Sequence, residues 1–81
     1  MEFLAELYLE TDDLEAKAHL AATAVEDTPA GVVIKHLRTI VVPEDETLLV
    51  LYEAPSADAV RDALARAGIH CDRVTRAEEE R

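Results

Sequence analysis

Five side chains in this sequence carry chemistry that could act together: Glu6 and Tyr8 in "FLAELYL", His36 and Arg38 in "KHLR", and Tyr52 near the end of "TLLVLYE". A carboxylate, an imidazole and two phenols on one surface could hold a divalent metal or relay protons. His36 is the first choice as ligand or acid/base group and Glu6 the second. The plainer role for the same groups is structural, with His36 and Arg38 making interface hydrogen bonds or an ion pair with Glu6, because buried polar groups are usually satisfied ones.

Whether they meet depends on which way extended segments face, since successive side chains of a strand point to opposite sides. If Phe3, Ala5 and Leu7 turn toward a core, Glu6 and Tyr8 turn away from it. The same choice with Leu49 and Leu51 inward sends Leu48, Val50 and Tyr52 outward. His36 and Arg38 share a face with Ile34 and Ile40 in a regular strand, while Lys35 falls on the other. A lysine pointing into a core is unfavourable, which calls for a bulge or an exposed edge position and leaves the facing open by one residue.

The remaining candidates point to structure. His19 stands four residues after Glu15, off the apolar stripe of its helix, as in a surface i, i+4 pair. His70 and Asp72 share a strand face and could form a weak two-ligand site, with loop and edge-strand roles as the plainer reading. Cys71 reads as a small buried apolar residue. The acidic runs "PEDE" and "EEE" lack calcium-loop spacing. Two distant glycines, Gly31 and Gly68, make no phosphate-binding loop, and Ser56 is consumed by capping, so covalent hydrolase chemistry is disfavoured.

The elements that must position these groups alternate. "FLAELYL" has a period-2 pattern and reads as a strand over 3–9. Thr11, Asp12 and Asp13 open a helix whose stripe is Leu14, Ala18, Ala21 and Val25, and Pro29 and Gly31 end it. "VVIKHLRTIVV" (32–42) is too β-branched for a helix to be preferred, "PEDE" is a break of hairpin length, and "TLLVLYE" follows as an antiparallel strand. In "YEAPSADAVRDALARAGI", Pro55 stops the strand, Ser56 caps a second helix, and Ala57, Val60, Ala63, Leu64 and Ala67 form its stripe. Gly68 closes it. "IHCDRVTRA" holds a short last strand.

Strand, helix, strand, strand, helix, strand with right-handed crossovers gives an α+β, ferredoxin-like βαββαβ fold: a four-stranded antiparallel sheet with two helices on one face. The other face is bare, which predicts a homodimer through the open sheet face, a dimeric α+β barrel with a small apolar cavity between the sheets. The reading assigns 1–76 to a single domain and 77–81 to a charged tail.

Composition sets limits on partners. A chain of 81 residues buries only roughly 60–65% of its unfolded surface, so self-association is a cheap source of stability. Its net charge of −10 repels phosphate backbones and anionic membranes, leaving no nucleic acid and no membrane as expected partners. A single cysteine, an acidic start that cannot serve as a signal peptide and no run of about 20 apolar residues predict a cytoplasmic protein.

The stretch "HLRTIVVPEDETLLVLYEAPSADAVRDALARAGIHCDRV" resembles a family of small bacterial proteins described as nickel-binding-protein-like, a domain of otherwise unknown function. The resemblance covers about half the chain well; its "EAPSADAVR" and "RAG…DRV" pieces are structural punctuation, specific to the fold. It implies a ferredoxin-like fold, pairing into a dimeric α+β barrel, and Ni2+ or another divalent metal as the possible ligand, with His36 where metal-associated members also show a histidine. After the last helix the relatives often read glycine, an apolar residue or histidine, then proline, where this chain has Ile69 and His70. The function expected is therefore small-molecule or divalent-metal binding. The alternatives are a cofactor-free isomerase, cyclase or monooxygenase-like enzyme, with His36 as acid/base and Tyr8 or Tyr52 orienting substrate, or a purely structural interaction domain.

Overall fold

The computed structural model describes residues 1–9, 13–28 and 31–78. Four strands and two helices follow in the expected order: β1 (Glu2–Tyr8), α1 (Leu14–Thr23), β2 (Lys35–Val42), β3 (Thr47–Glu53), α2 (Ala57–Arg66) and β4 (Arg73–Ala77). The sheet order is β2-β3-β1-β4 with antiparallel neighbours throughout, the ferredoxin-like arrangement.

Local chemistry explains the helix ends. The Asp13 carboxylate accepts from the Ala16 N–H at 3.1 Å and caps α1, while the expected contributions of Thr11, Asp12 and Pro29 lie outside the described residues. α1 stops at Thr23, earlier than the sequence suggests, and a 3-10 turn over Ala24–Asp27 continues it. The second helix matches its reading closely. Ser56 Oγ accepts from the Ala59 N–H at 3.1 Å, and Val60, Ala63 and Leu64 are its buried stripe. Beyond Ala67, Gly68 adopts φ +77°, its N–H donates to Ala65 O at 3.0 Å, and Ile69 N–H donates to Leu64 O at 2.9 Å. This pair of bonds is the Schellman closure, and it buries Ile69 under the helix end.

The core lies between the sheet and the helices. Phe3, Ala5 and Leu7 of β1 pair across the sheet with Tyr52, Val50 and Leu48 of β3, and all six are buried beneath Leu14, Ala21, Val60, Ala63 and Leu64. This reverses the facing expected for β3: Leu48, Val50 and Tyr52 point to the helices, whereas Leu49 and Leu51 point to the open face. Both alternations of "TLLVLYE" are apolar, so the pattern of that strand does not choose between them; register against β1 does.

Lys35 is kept out of the core, as its charge requires. β2 is an edge strand, and its register slips between His36 and Arg38, leaving Leu37 as the extra residue of a bulge. Lys35 pairs with Glu53 and Arg38 with Leu51, on the open face, but His36 pairs with Tyr52, on the helix side. His36 and Arg38 therefore do not share a face.

Candidate functional site

Three places bring reactive side chains together. The first is the edge of the helix-covered layer. The His36 ring meets Tyr52 edge-on, with centroids 5.9 Å apart and planes at 66°, and its Nε2 lies 2.6 Å from Thr39 Oγ1. Tyr52 is fully buried and its hydroxyl donates to Ala21 O at 2.6 Å, tying β3 to the last turn of α1. Burial pushes the phenol's pKa far up, with a smaller contribution from Cys71. Tyr52 is thus a neutral internal strut. It does not reach the open face, so the expected grouping of Tyr52 with Glu6 and Tyr8 is not formed within the chain.

The open face is the second. Sheet register lays it out in rows: Arg38, Leu51, Leu4 and Thr75 across the four strands, then Ile40, Leu49, Glu6 and Arg73, with Lys35, Glu53, Glu2 and Ala77 at one end and Tyr8 at the other. Leu4, Leu49 and Leu51 form a half-buried apolar centre that neither helix covers. Glu6 and Tyr8 belong to this face, as their alternation implies, and so does Arg38, whose facing the sequence leaves open. Their nearest histidine by sequence reasoning, His36, is on the opposite side of the sheet, so His36 and Glu6 do not converge in one chain. Sequence reasoning missed Arg73, directly across from Glu6 on β4. The signal for it was the alternation of "DRVTRA", in which Val74 turns inward beside Ala5 and sends Arg73 outward.

The third lies where β1 meets β4. Asp72 N–H donates to Glu6 O at 3.1 Å and its carboxylate accepts from Tyr8 N–H at 2.8 Å, a two-point clamp across the strand pair. His70 Nε2 stands 3.8 Å from the other oxygen of Asp72. Between them Cys71 is half-buried, its thiol donating to Arg73 O at 3.2 Å; burial pushes its pKa up, and the opposing pull of Arg61 does not offset this. The thiol is a packing group that stays protonated at neutral pH. His19 is exposed and forms no ion pair with Glu15.

Fold and site together define a small ferredoxin-like α+β domain whose helix-free face carries an apolar centre and a charged rim. Residues 4–76 match the sequence profile of the family described as nickel responsive protein SCO4226-like, and the chain belongs to that family. It is also similar, over the whole of both chains, to the crystal structure of SCO4226 from Streptomyces coelicolor A3(2), at 26% identity and a TM-score of 0.76. A comparison with curated proteins yields no match. The family description raises the question of a metal, and the donor set answers for one chain: among the described residues no three His, Cys, Asp or Glu side chains lie together so as to hold an ion. The His70–Asp72 pair supplies two donors at most, fewer than the four to six or so that first-row divalent ions take. No helix among the described residues is long and apolar enough to cross a membrane.

Proposed function

We propose that this chain is a binding protein that works as a homodimer through its open sheet face, with a nickel-class divalent ion or a small molecule held by groups from both copies. One observation carries the reading. Lys35, Arg38 and Arg73 balance Glu2, Glu6 and Glu53 on the open face, which is thus near neutral in a chain of net charge −10. Two copies approaching by this face bury Leu4, Leu49, Leu51 and Ile40 and bring three cations and three carboxylates of each copy within reach of their opposites, without the like-charge repulsion of two acidic surfaces. Pairing duplicates each donor of this face, Glu6 first, which is how a chain lacking three clustered donors could complete a site. The family's name supports nickel as the ion to test.

The test combines light scattering with thermal melts in nickel. The parent is expected to be dimeric at micromolar concentration and to gain about 2.7 kcal/mol at a nickel concentration of about 100 times the dissociation constant. Leu51→Glu, whose side chain lies on the open face, is expected to give folded monomers that lose this gain. A parent that stays a stable, folded monomer would remove the pairing, and an equal nickel shift in monomeric Leu51→Glu would remove the shared site.

A further inference from the structure

The edge strand β2 differs from the rest of the surface in two ways. Four of the large apolar side chains that remain exposed cluster on it and its approach: Val33 at 68%, Leu37 at 43%, Ile40 at 49% and Val41 at 36%. In addition, residues 31–42 contain Lys35 and Arg38 but no acid, in a chain with 18 acidic residues. Neither Lys35 nor Arg38 makes an ion pair with another described residue. Among the described residues no backbone hydrogen bond leads outward from β2.

An edge of this kind is a template for another strand. The chain's own edges do not suit it. β4, at the far side of the sheet, carries Arg73 and Arg76, of which Arg76 is already paired with Glu78 at 3.4 Å, so edge-to-edge pairing of copies sets the free cations of β2 beside Arg73 with no free acid within β4. Basic edge side chains and a bulge are a known defence against such pairing. They leave open the pairing of opposite charge.

We propose that the outer edge of β2 docks an extended acidic segment of a partner protein, added antiparallel along Arg38–Val42, with its carboxylates on the open-face side toward Lys35 and Arg38 and its apolar side chains on the helix side against Val41, beside the bulge at Leu37. The bulge at Leu37 ends the regular ladder on one side. Glu15 of α1, which lines a cavity with Val41 and Pro43, disfavours acids at the other, and this sets the register. The proposal does not require two copies to pair, because the backbone edge of β2 lies outside the sheet face and Val41, paired with buried Leu48, points to the helix side.

Fluorescence anisotropy with a labelled seven-residue peptide alternating Glu and Val is the test, beside its Lys/Val counterpart. The Glu/Val peptide is expected to bind saturably and to weaken as salt rises. Leu37→Glu and, separately, Arg38→Glu should weaken it about tenfold or more, and Arg76→Glu on the other edge should not. Circular dichroism checks folding, and Arg38→Gln serves where Arg38→Glu fails to fold. Light scattering on the same variants and on Val41→Glu, on the helix side of the strand, separates this reading from dimer formation: Val41→Glu should lose the peptide while self-association stays as in the parent. No saturable binding, equal binding of the Lys/Val peptide, equal weakening by Arg76→Glu, or an effect of Arg38→Glu alone that tracks loss of self-association would each overturn it.

Discussion

The two faces of the sheet are made from the same strands and solve opposite problems. On the helix side, Phe3, Ala5, Leu7, Leu48, Val50 and Tyr52 are buried and the polar atoms among them are bonded, the Tyr52 hydroxyl to Ala21 O and the His36 ring to Thr39. On the open side, Leu4, Leu49 and Leu51 are only half-buried and the cations beside them have no ion partners among the described residues. One face completes itself within the chain. The other leaves its apolar centre and its charges uncovered by either helix, which is why the proposed binding is placed there.

The sharpest way to break this contrast is to place the same charge on adjacent residues of β3. Val50→Glu puts an unpaired carboxylate into the helix-side core, where losses of about 3–5 kcal/mol are typical for an uncompensated buried charge. For so short a chain that is a large part of the total, about 0.05–0.15 kcal/mol per residue. Leu51→Glu should leave the monomer folded and remove only self-association. Urea melts at two protein concentrations read both. Equal loss of fold in the two variants would mean that the faces are not distinct.

Tyr52→Phe probes the inner face more gently. Removing the hydroxyl deletes the bond to Ala21 and leaves that carbonyl to find another donor, a loss of about 0.5–1.5 kcal/mol below pH 9 or so. The raised phenol pKa has a consequence of definite sign. The folded state holds the proton more tightly than the unfolded one, so its contribution is intact below the ordinary phenol value of about 10 and is lost as pH rises beyond it. Tyr52→Phe should flatten that alkaline decline, measured by denaturant melts across the range. A decline unchanged by the substitution would assign it to other groups.

The sequence made the architecture readable because its punctuation is local: Ser56, Gly68 and the "PEDE" break act on their own neighbours, and each occupies the place expected of it. Facing was harder to read. β3 is apolar on both alternations, so only pairing with Phe3, Ala5 and Leu7 orients it, and the bulge at Leu37 puts His36 and Arg38 on opposite sides although they stand two residues apart. Lys35 was the one local clue to that bulge. Among the candidate residues the open-face placement of Glu6 and Tyr8 was legible, because their strand alternates regularly, while that of Arg38 stayed open by one residue until the slip was located. Legibility failed at His36 and Tyr52, where non-local register decides.

The turn between β2 and β3 belongs to neither face, and it supplies the smallest test. Glu46 sits there at φ 50°, ψ 42°, the only non-glycine residue at positive φ among those described, its N–H donating to Pro43 O at 3.2 Å and its carbonyl accepting from Leu9 N–H at 2.8 Å. A side chain with a Cβ costs about 1–2 kcal/mol in that conformation, and glycine avoids this at the expense of a more flexible unfolded chain, worth about 0.4–1 kcal/mol. Glu46→Gly should therefore stabilise by a few tenths to about 1 kcal/mol, and Glu46→Asn, which tolerates the left-handed region, by a similar amount. Glu46→Val should destabilise, since a β-branched residue is the least tolerant of positive φ. Because the bonds at this position are main-chain bonds to the turn and to Leu9 just past β1, the gain should be the same at every protein concentration and in the Leu51→Glu background. A gain that appears only where copies pair would move this turn into the interface and redraw the boundary of the open face.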